Sequence, residues 1–349
     1  MATVAGHLPD NPHRVRAPDC AAYADSLDAA VEKLRRWGLP GLDDGPLANA
    51  SEHLRAVASR GSYEREGLRD TAAALMLASD FIQIAHAVSD ARSDAIAREL
   101  VKSVRGTLLQ QDDEQALDFR SQFMFGSVLL KAGAAPRLVT SPNSPVPDFL
   151  CTVPGGEITI ETKRVQKETT ALSNIDKAVG QIASLGHPGI VALDMSPLYE
   201  PYERSTDVMD DLPGTFERVM ASFKARIAPY EQHILGRKES GDMTEEYRYL
   251  MGVICFARLC YWDAGDLASA GVHVPFLHGM VMTRETHGWA FMPHVLMLQL
   301  LIKDVFAGLY RDGTAIKPND PSGEISTFSA GNLSNRHSRR SRQRPPSTP

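Results

Sequence analysis

The chain has 349 residues, of which 43% are apolar and 23% charged, and a formal net charge of −6. That length can bury a real core, and the balance is that of a soluble globular protein. The acidic total excludes wholesale electrostatic adhesion to nucleic acid, so any grip on phosphate needs local basic patches.

In chain order, residues 1–18 lack the uninterrupted apolar run of a signal peptide and read as a disordered leader. Residues 19–110 read as a helical region. Leu27, Ala30, Val31 and Leu34 repeat at helical spacing, and "GLPGLDDGP" (Gly38–Pro46) ends that helix with Gly and Pro. Leu68, Ala72, Leu75 and Ile82 form one face of a second helix, with His86 packed or capping near its end. Ile96, Leu100 and Val104 continue the pattern. No catalytic constellation occurs here, so this region is expected to serve as a scaffold, meeting a partner protein or a second copy of the chain.

Residues 111–200 change character. "EQALDFRSQFMFGSVLLKAGA" predicts a helix with Phe119, Phe123, Val128 and Leu129 on it, ended by Gly133. A strand or edge, "PRLV", and a Pro/Ser loop follow. Two short apolar runs then flank a Pro-Gly-Gly turn, predicting a hairpin. "SNIDKAVGQIASL" predicts a helix with Ser173 as N-cap, and "GIVALDMS" a buried strand of the parallel kind. Helix, strand, strand, helix, strand is a mixed α/β order.

Residues 201–325 predict an α-rich extension: a helix over 215–235, the run Tyr247–Trp262 that suits either strand or helix, one more hairpin, and a last helix from about Pro293 to Leu309. The most apolar stretch, "GWAFMPHVLMLQLL", is too short and interrupted to cross a bilayer, so it predicts a buried helix and no membrane partner. The tail over 326–349 is basic and reads as disordered; "RHSRRSRQRPPSTP" suits a solubilising end or a DNA-touching arm equally. Cys20, Cys151, Cys255 and Cys260 form no disulfide framework and fit free thiols in a reducing cytosol, hence a cytoplasmic location. His273, His278, His287 and His294 are irregularly spaced, and Asp207, Asp210 and Asp211 read as a solvated acidic loop. There is no G-x-S-x-G, Walker-type or G-x-G-x-x-G signature.

The chemistry concentrates in the hairpin. Strand alternation sets Ile158, Ile160 and Thr162 on one face and Glu157, Thr159, Glu161 and Lys163 on the other. Pairing about Gly155 and Gly156 puts Asp148 almost opposite Glu161 and Thr162. Two carboxylates brought that close repel unless a cation lies between them. Hard oxygen donors with open positions suit Mg²⁺ or Mn²⁺, with the Thr162 backbone carbonyl as a third ligand. Lys163 can then reach the attacking water or the scissile phosphate.

Pro147-Asp148, thirteen residues from Asp148 to Glu161, and Glu161-Thr162-Lys163 together resemble the PD-(D/E)XK nuclease superfamily, as does the order of elements around them. The resemblance covers residues 112–196. It implies a restriction-endonuclease-like mixed sheet flanked by helices and a metal-dependent nuclease, with DNA as the expected substrate in restriction, repair or phage defence. It makes Asp148, Glu161 and Lys163 catalytic, with Asp148, Glu161 and the Thr162 carbonyl holding Mg²⁺ or Mn²⁺. Many members carry a glutamate on the first core helix, and here that position is Gln122. "KAVGQI" is similar to a supporting motif of some branches, with Lys177 or Gln181 turned to the site. The alternatives are a catalytically silent nuclease-like module for nucleic-acid binding or assembly, and a surface hairpin whose Glu161 and Lys163 form an exposed pair. Lys163, Arg164 and Lys167 form either a phosphate track or ordinary solvated charge.

Overall fold

The computed structural model describes residues 2–3, 14–36, 45–86, 114–139, 146–199, 208–209, 212–240, 244–263, 271–273, 276–282 and 292–311. They lie in one compact unit, Met1–Ile316. The helix expected through Ile96–Val104, the loop residues Asp207, Asp210 and Asp211, His287 and the basic tail lie outside the described residues.

The larger sheet contains β1 (Ala2–Thr3), β3 (Pro136–Leu138), β4 (Phe149–Val153), β5 (Gly156–Arg164), β6 (Gly189–Asp194), β8 (Leu250–Arg258) and β11 (Phe276–Met282). Its order is β1-β11-β8-β6-β5-β4-β3. The pairs β3–β4, β4–β5, β8–β11 and β1–β11 are antiparallel, whereas β5–β6 and β6–β8 are parallel. A smaller sheet joins β2 (Arg14–Arg16), β10 (Gly271–His273), β9 (Tyr261–Asp263) and β7 (Val208–Met209) in that order. The fold is mixed α/β, a mixed sheet flanked by helices.

Helices α1 (Cys20–Arg36), α2 (Pro46–Arg60) and α3 (Leu68–His86) pack on one another. Leu27, Ala30, Leu34, Leu68, Ala72, Leu75 and Ile82 are buried at the spacing the sequence predicts. The described part of the leader departs from expectation. Arg14–Arg16 is a strand paired with β10, because Val15 is fully buried and its carbonyl accepts the Tyr63 hydroxyl at 2.7 Å.

Helix α4 (Glu114–Lys131) ends where Gly133 adopts φ 79°, a left-handed conformation that glycine tolerates. It covers one sheet face: Phe125 stacks on Phe256 of β8 at 5.8 Å. α5 (Ala171–Ser184) covers the other, and a Cβ added to Gly189 there would lie 2.6 Å from Ile182 Cγ2. Ser173 is not the N-cap of α5. A short 3-10 turn, Glu168–Thr170, precedes the helix, Thr170 takes the cap position, and the Ser173 hydroxyl donates back to the Thr170 carbonyl at 2.9 Å.

The C-terminal part is not simply α-rich. Beside α6 (Leu212–Ser240), α7 (Thr244–Tyr247) and α8 (Met292–Arg311), it supplies β8 and β11 to the large sheet. Of the run Tyr247–Trp262, Tyr247 ends α7 and Leu250–Arg258 resolves as strand β8, since the buried centre of a sheet takes an unbroken apolar run, and every residue of β8 is buried. β11 finds its partner in β8. α8 is only half-buried: Val295, Leu298 and Ile302 face the core, while Met297, Leu300 and Leu301 are exposed. No helix among the described residues is long and apolar enough to cross a membrane.

Candidate active site

Pro154 and Gly155 form the two-residue turn between β4 and β5, with Gly155 at φ 90°. Phe149 then pairs with Ile160, so the same register carried one step back sets Asp148 against Glu161. This is the juxtaposition the sequence predicts. One step further, Pro147 stands against Thr162. Proline has no N–H, so it cannot donate to the Thr162 carbonyl as the next rung of the ladder would. The proline therefore ends the backbone ladder at this rung.

The Thr162 amide donates to Asp148 Oδ2 at 2.8 Å, and the Thr162 hydroxyl donates to the same oxygen. The Asp148 amide donates to Glu161 Oε2 at 2.9 Å, and the Lys163 ammonium donates to Glu161 Oε1. Asp148, Glu161, Thr162 and Lys163 thus form one connected group. Gln181 on α5 donates to the Val146 carbonyl at 3.0 Å, fixing the segment that leads into Asp148. Lys177, one turn earlier on α5, is exposed. Gln122 is half-buried on α4 and makes no hydrogen bond to either carboxylate.

The reading of an exposed surface pair fails on burial. β5 is covered on both faces, with Ile158, Thr159 and Ile160 at 0% exposure and Glu161 at 1%. A charge in that position is costly unless compensated. Burial first, and the nearby Asp148 charge second, push the Glu161 carboxyl up to about 8, against the lowering pull of Lys163 and of the Asp148 amide. The Asp148 carboxyl is also raised by burial, opposed by its two bonds from Thr162 and by Lys163.

The donor set fits a small hard cation. Two carboxylates and a carbonyl are oxygen donors, and a divalent ion would offset both the burial and the Asp148 charge that raise the Glu161 carboxyl. Among the described residues no group of three or more His, Cys, Asp or Glu is placed to hold a metal ion.

Arg164 is no part of an exposed track. It lies on the opposite face from Lys163 and is drawn into a charge cluster with Asp194, Asp118, Arg120 and Arg258, where burial lowers its pKa. In that cluster Asp80 of α3 bonds Arg258 and sits 3.4 Å from Arg120 Nε. Nothing local in the sequence signals it, because Asp80 and Arg258 are 178 positions apart. A second unforeseen group centres on Asp176, which accepts from Tyr247 (2.6 Å), His233 (2.8 Å) and Arg237 (2.9 Å). Burial would raise that carboxyl, but the three donors together hold it below the usual range. The group ties α5 to α6 and α7. All four cysteines are buried and unpaired, as the sequence predicts, and burial pushes the Cys20 thiol up to about 11. His294 is exposed.

No family model matches the chain, and neither a curated protein nor a solved structure matches it.

Proposed function

We propose that the chain is a metal-dependent nuclease that hydrolyses phosphodiester bonds, with DNA as the expected substrate, on a restriction-endonuclease-like core. One observation carries this reading: Glu161, 1% exposed on a central strand, is joined to Asp148 and Lys163 in a single hydrogen-bonded group. Buried carboxylates with raised pKa values, paired with a second carboxylate and an ammonium, concentrate at catalytic and binding sites. Further support comes from the order α4, β4–β5 hairpin, α5, β6, which is the order the resemblance implies.

Asp148, Glu161 and the Thr162 carbonyl would hold Mg²⁺ or Mn²⁺. The ion would supply a Lewis acid for the scissile phosphate and for the attacking water. Lys163, fixed beside Glu161, offers an ammonium where negative charge builds in the transition state. Gln181 keeps Asp148 in place through its bond to the Val146 carbonyl. The test is cleavage of linear, circular and single-stranded DNA by the full chain, with and without Mg²⁺ or Mn²⁺. Metal-dependent products that vanish in Lys163→Ala are expected, and equal cutting by that variant overturns its role.

A silent nuclease-like binding or assembly module is favoured by one detail: Asp148 Oδ2 is already engaged twice by Thr162. Mn²⁺ titration calorimetry separates the two readings. The nuclease should show heat that Asp148→Ala removes, and the silent module should not.

A further inference from the structure

We propose that Arg226 of α6 binds a backbone phosphate of the nucleic acid, neighbouring the phosphate that Lys163 would meet; this rests on the nuclease reading above. Lys163, Leu193 and Cys255 are in register on β5, β6 and β8, so their side chains leave the same sheet face. Adjacent strands lie about 4.8 Å apart, which sets Cys255 about 10 Å from Lys163 along the C-terminal ends of the parallel strands. Open α/β sheets bind their ligands at those ends.

Tyr199 closes the short turn Ser196–Tyr199 just past β6, which is tied to β8 where the Met195 amide donates to the Phe256 carbonyl at 2.7 Å, and its ring lies 6.2 Å from that of Phe223 on α6. The Arg226 guanidinium lies over the Tyr199 ring, 5.3 Å from its centroid, and its Nε is 3.4 Å from the Ser222 hydroxyl. Its orientation is therefore fixed before any ligand arrives. On the same helix, one turn on, the buried Tyr230 hydroxyl has no hydrogen-bond partner.

The carboxylate facing Arg226 is Glu168, 3.0 Å away on the turn after β5 and 62% exposed. An ion pair that exposed is weakly held, so a phosphate can take its place with two parallel N–H···O bonds. Lys167, exposed beside Glu168, extends the same positive edge. The phosphate track is thus Lys163, Lys167 and Arg226, with Arg226 standing in for the Arg164 that the sequence suggests.

The test is fluorescence anisotropy of a labelled short duplex and of its single strand with the full chain in EDTA, over a range of KCl. Arg226→Gln should weaken binding several-fold whatever the sequence, and reduce the slope of log K against log salt by about 0.9. Glu168→Gln, an exposed change that leaves the core alone, should strengthen binding because it removes the competing carboxylate. Unchanged affinity and slope in both variants overturns the proposal, as does a wild type that does not bind DNA. A wild type that binds through Arg226 yet cuts nothing with Mg²⁺ or Mn²⁺ overturns the nuclease reading alone.

Discussion

Asp148 and Glu161 meet across the β4–β5 hairpin through the main chain as well as by charge: the Asp148 amide donates to Glu161 Oε2 at 2.9 Å, while Asp148 Oδ2 is held by the Thr162 amide at 2.8 Å. Each carboxylate is thereby fixed by the other's strand. Neither can relax away from the other without losing a hydrogen bond, so repulsion is relieved by a proton or by a cation.

The proton has a measurable consequence. The Glu161 carboxyl titrates at 4.5 when free and at about 8 when folded. Below 4.5 both states carry the proton and nothing is gained or lost. Between 4.5 and about 8 the unfolded chain ionises while the folded one does not, so metal-free stability falls as pH rises through that window, by an amount on the order of a few kcal/mol. Urea unfolding at several pH values should show this slope in the wild type and not in Glu161→Gln. Mg²⁺ or Mn²⁺ should flatten it, since a cation favours the ionised carboxylate, and should give no thermal shift in the variant.

Lys163→Ala should separate chemistry from folding. The side chain is 25% exposed and leaves β5 at its open end, so its loss empties little of the core. Below about pH 8, where Glu161 carries its proton and no charge is stranded, stability should change by about 1 kcal/mol or less, and cleavage should disappear. The variant also removes the ammonium that lowers the Glu161 carboxyl, so the fall in metal-free stability should extend to higher pH than in the wild type. A variant that unfolds outright contradicts this placement of Lys163.

How far the sequence reaches is seen by comparing Glu161 with Asp80. Glu161, Lys163 and Asp148 belong to a hairpin whose turn residues set the register, so period-two alternation was enough to bring them together. Their burial was not legible, because it depends on α4 and α5 closing over both faces. β8 was equally ambiguous: a run buried on all sides has no polar face to reveal its period. The charge cluster of Asp80, Arg120, Asp194 and Arg258 draws one residue from each of four distant elements, and no window of sequence contains it.

That cluster sets the next prediction. Asp80 is 2% exposed and the charge that α3 contributes to Arg120 and Arg258. Removing one member of a buried ion pair strands the others, so Asp80→Ala should cost about 3–5 kcal/mol. Arg55 also bridges two carboxylates, Asp25 at 2.7 Å and Asp28 at 2.6 Å, but it is about half exposed. Its replacement by Ala should cost only about 1 kcal/mol or less. Denaturant midpoints of the two variants measured side by side decide the matter, and equal losses would contradict the burial argument.

Gly189 links packing to the site. A Cβ there would clash with Thr159 Oγ1 and would sit 2.6 Å from Ile182 Cγ2 and 2.8 Å from the Thr159 carbonyl oxygen. The Thr159 main chain cannot yield freely, because its amide donates to the Pro188 carbonyl at 2.8 Å. Gly189→Ala should therefore cost about 1–3 kcal/mol by overpacking. It should also push β5 two residues before Glu161 and so reduce cleavage per folded molecule. Gly252→Ala is the control: its Cβ would meet Gln299 Nε2 at 2.6 Å and the Val281 carbonyl at 2.9 Å, on β8 and away from Asp148. It should lose stability by a similar mechanism while keeping its specific activity. Assays below both unfolding temperatures distinguish the two, and equal specific activities would show that β5 position does not govern the site.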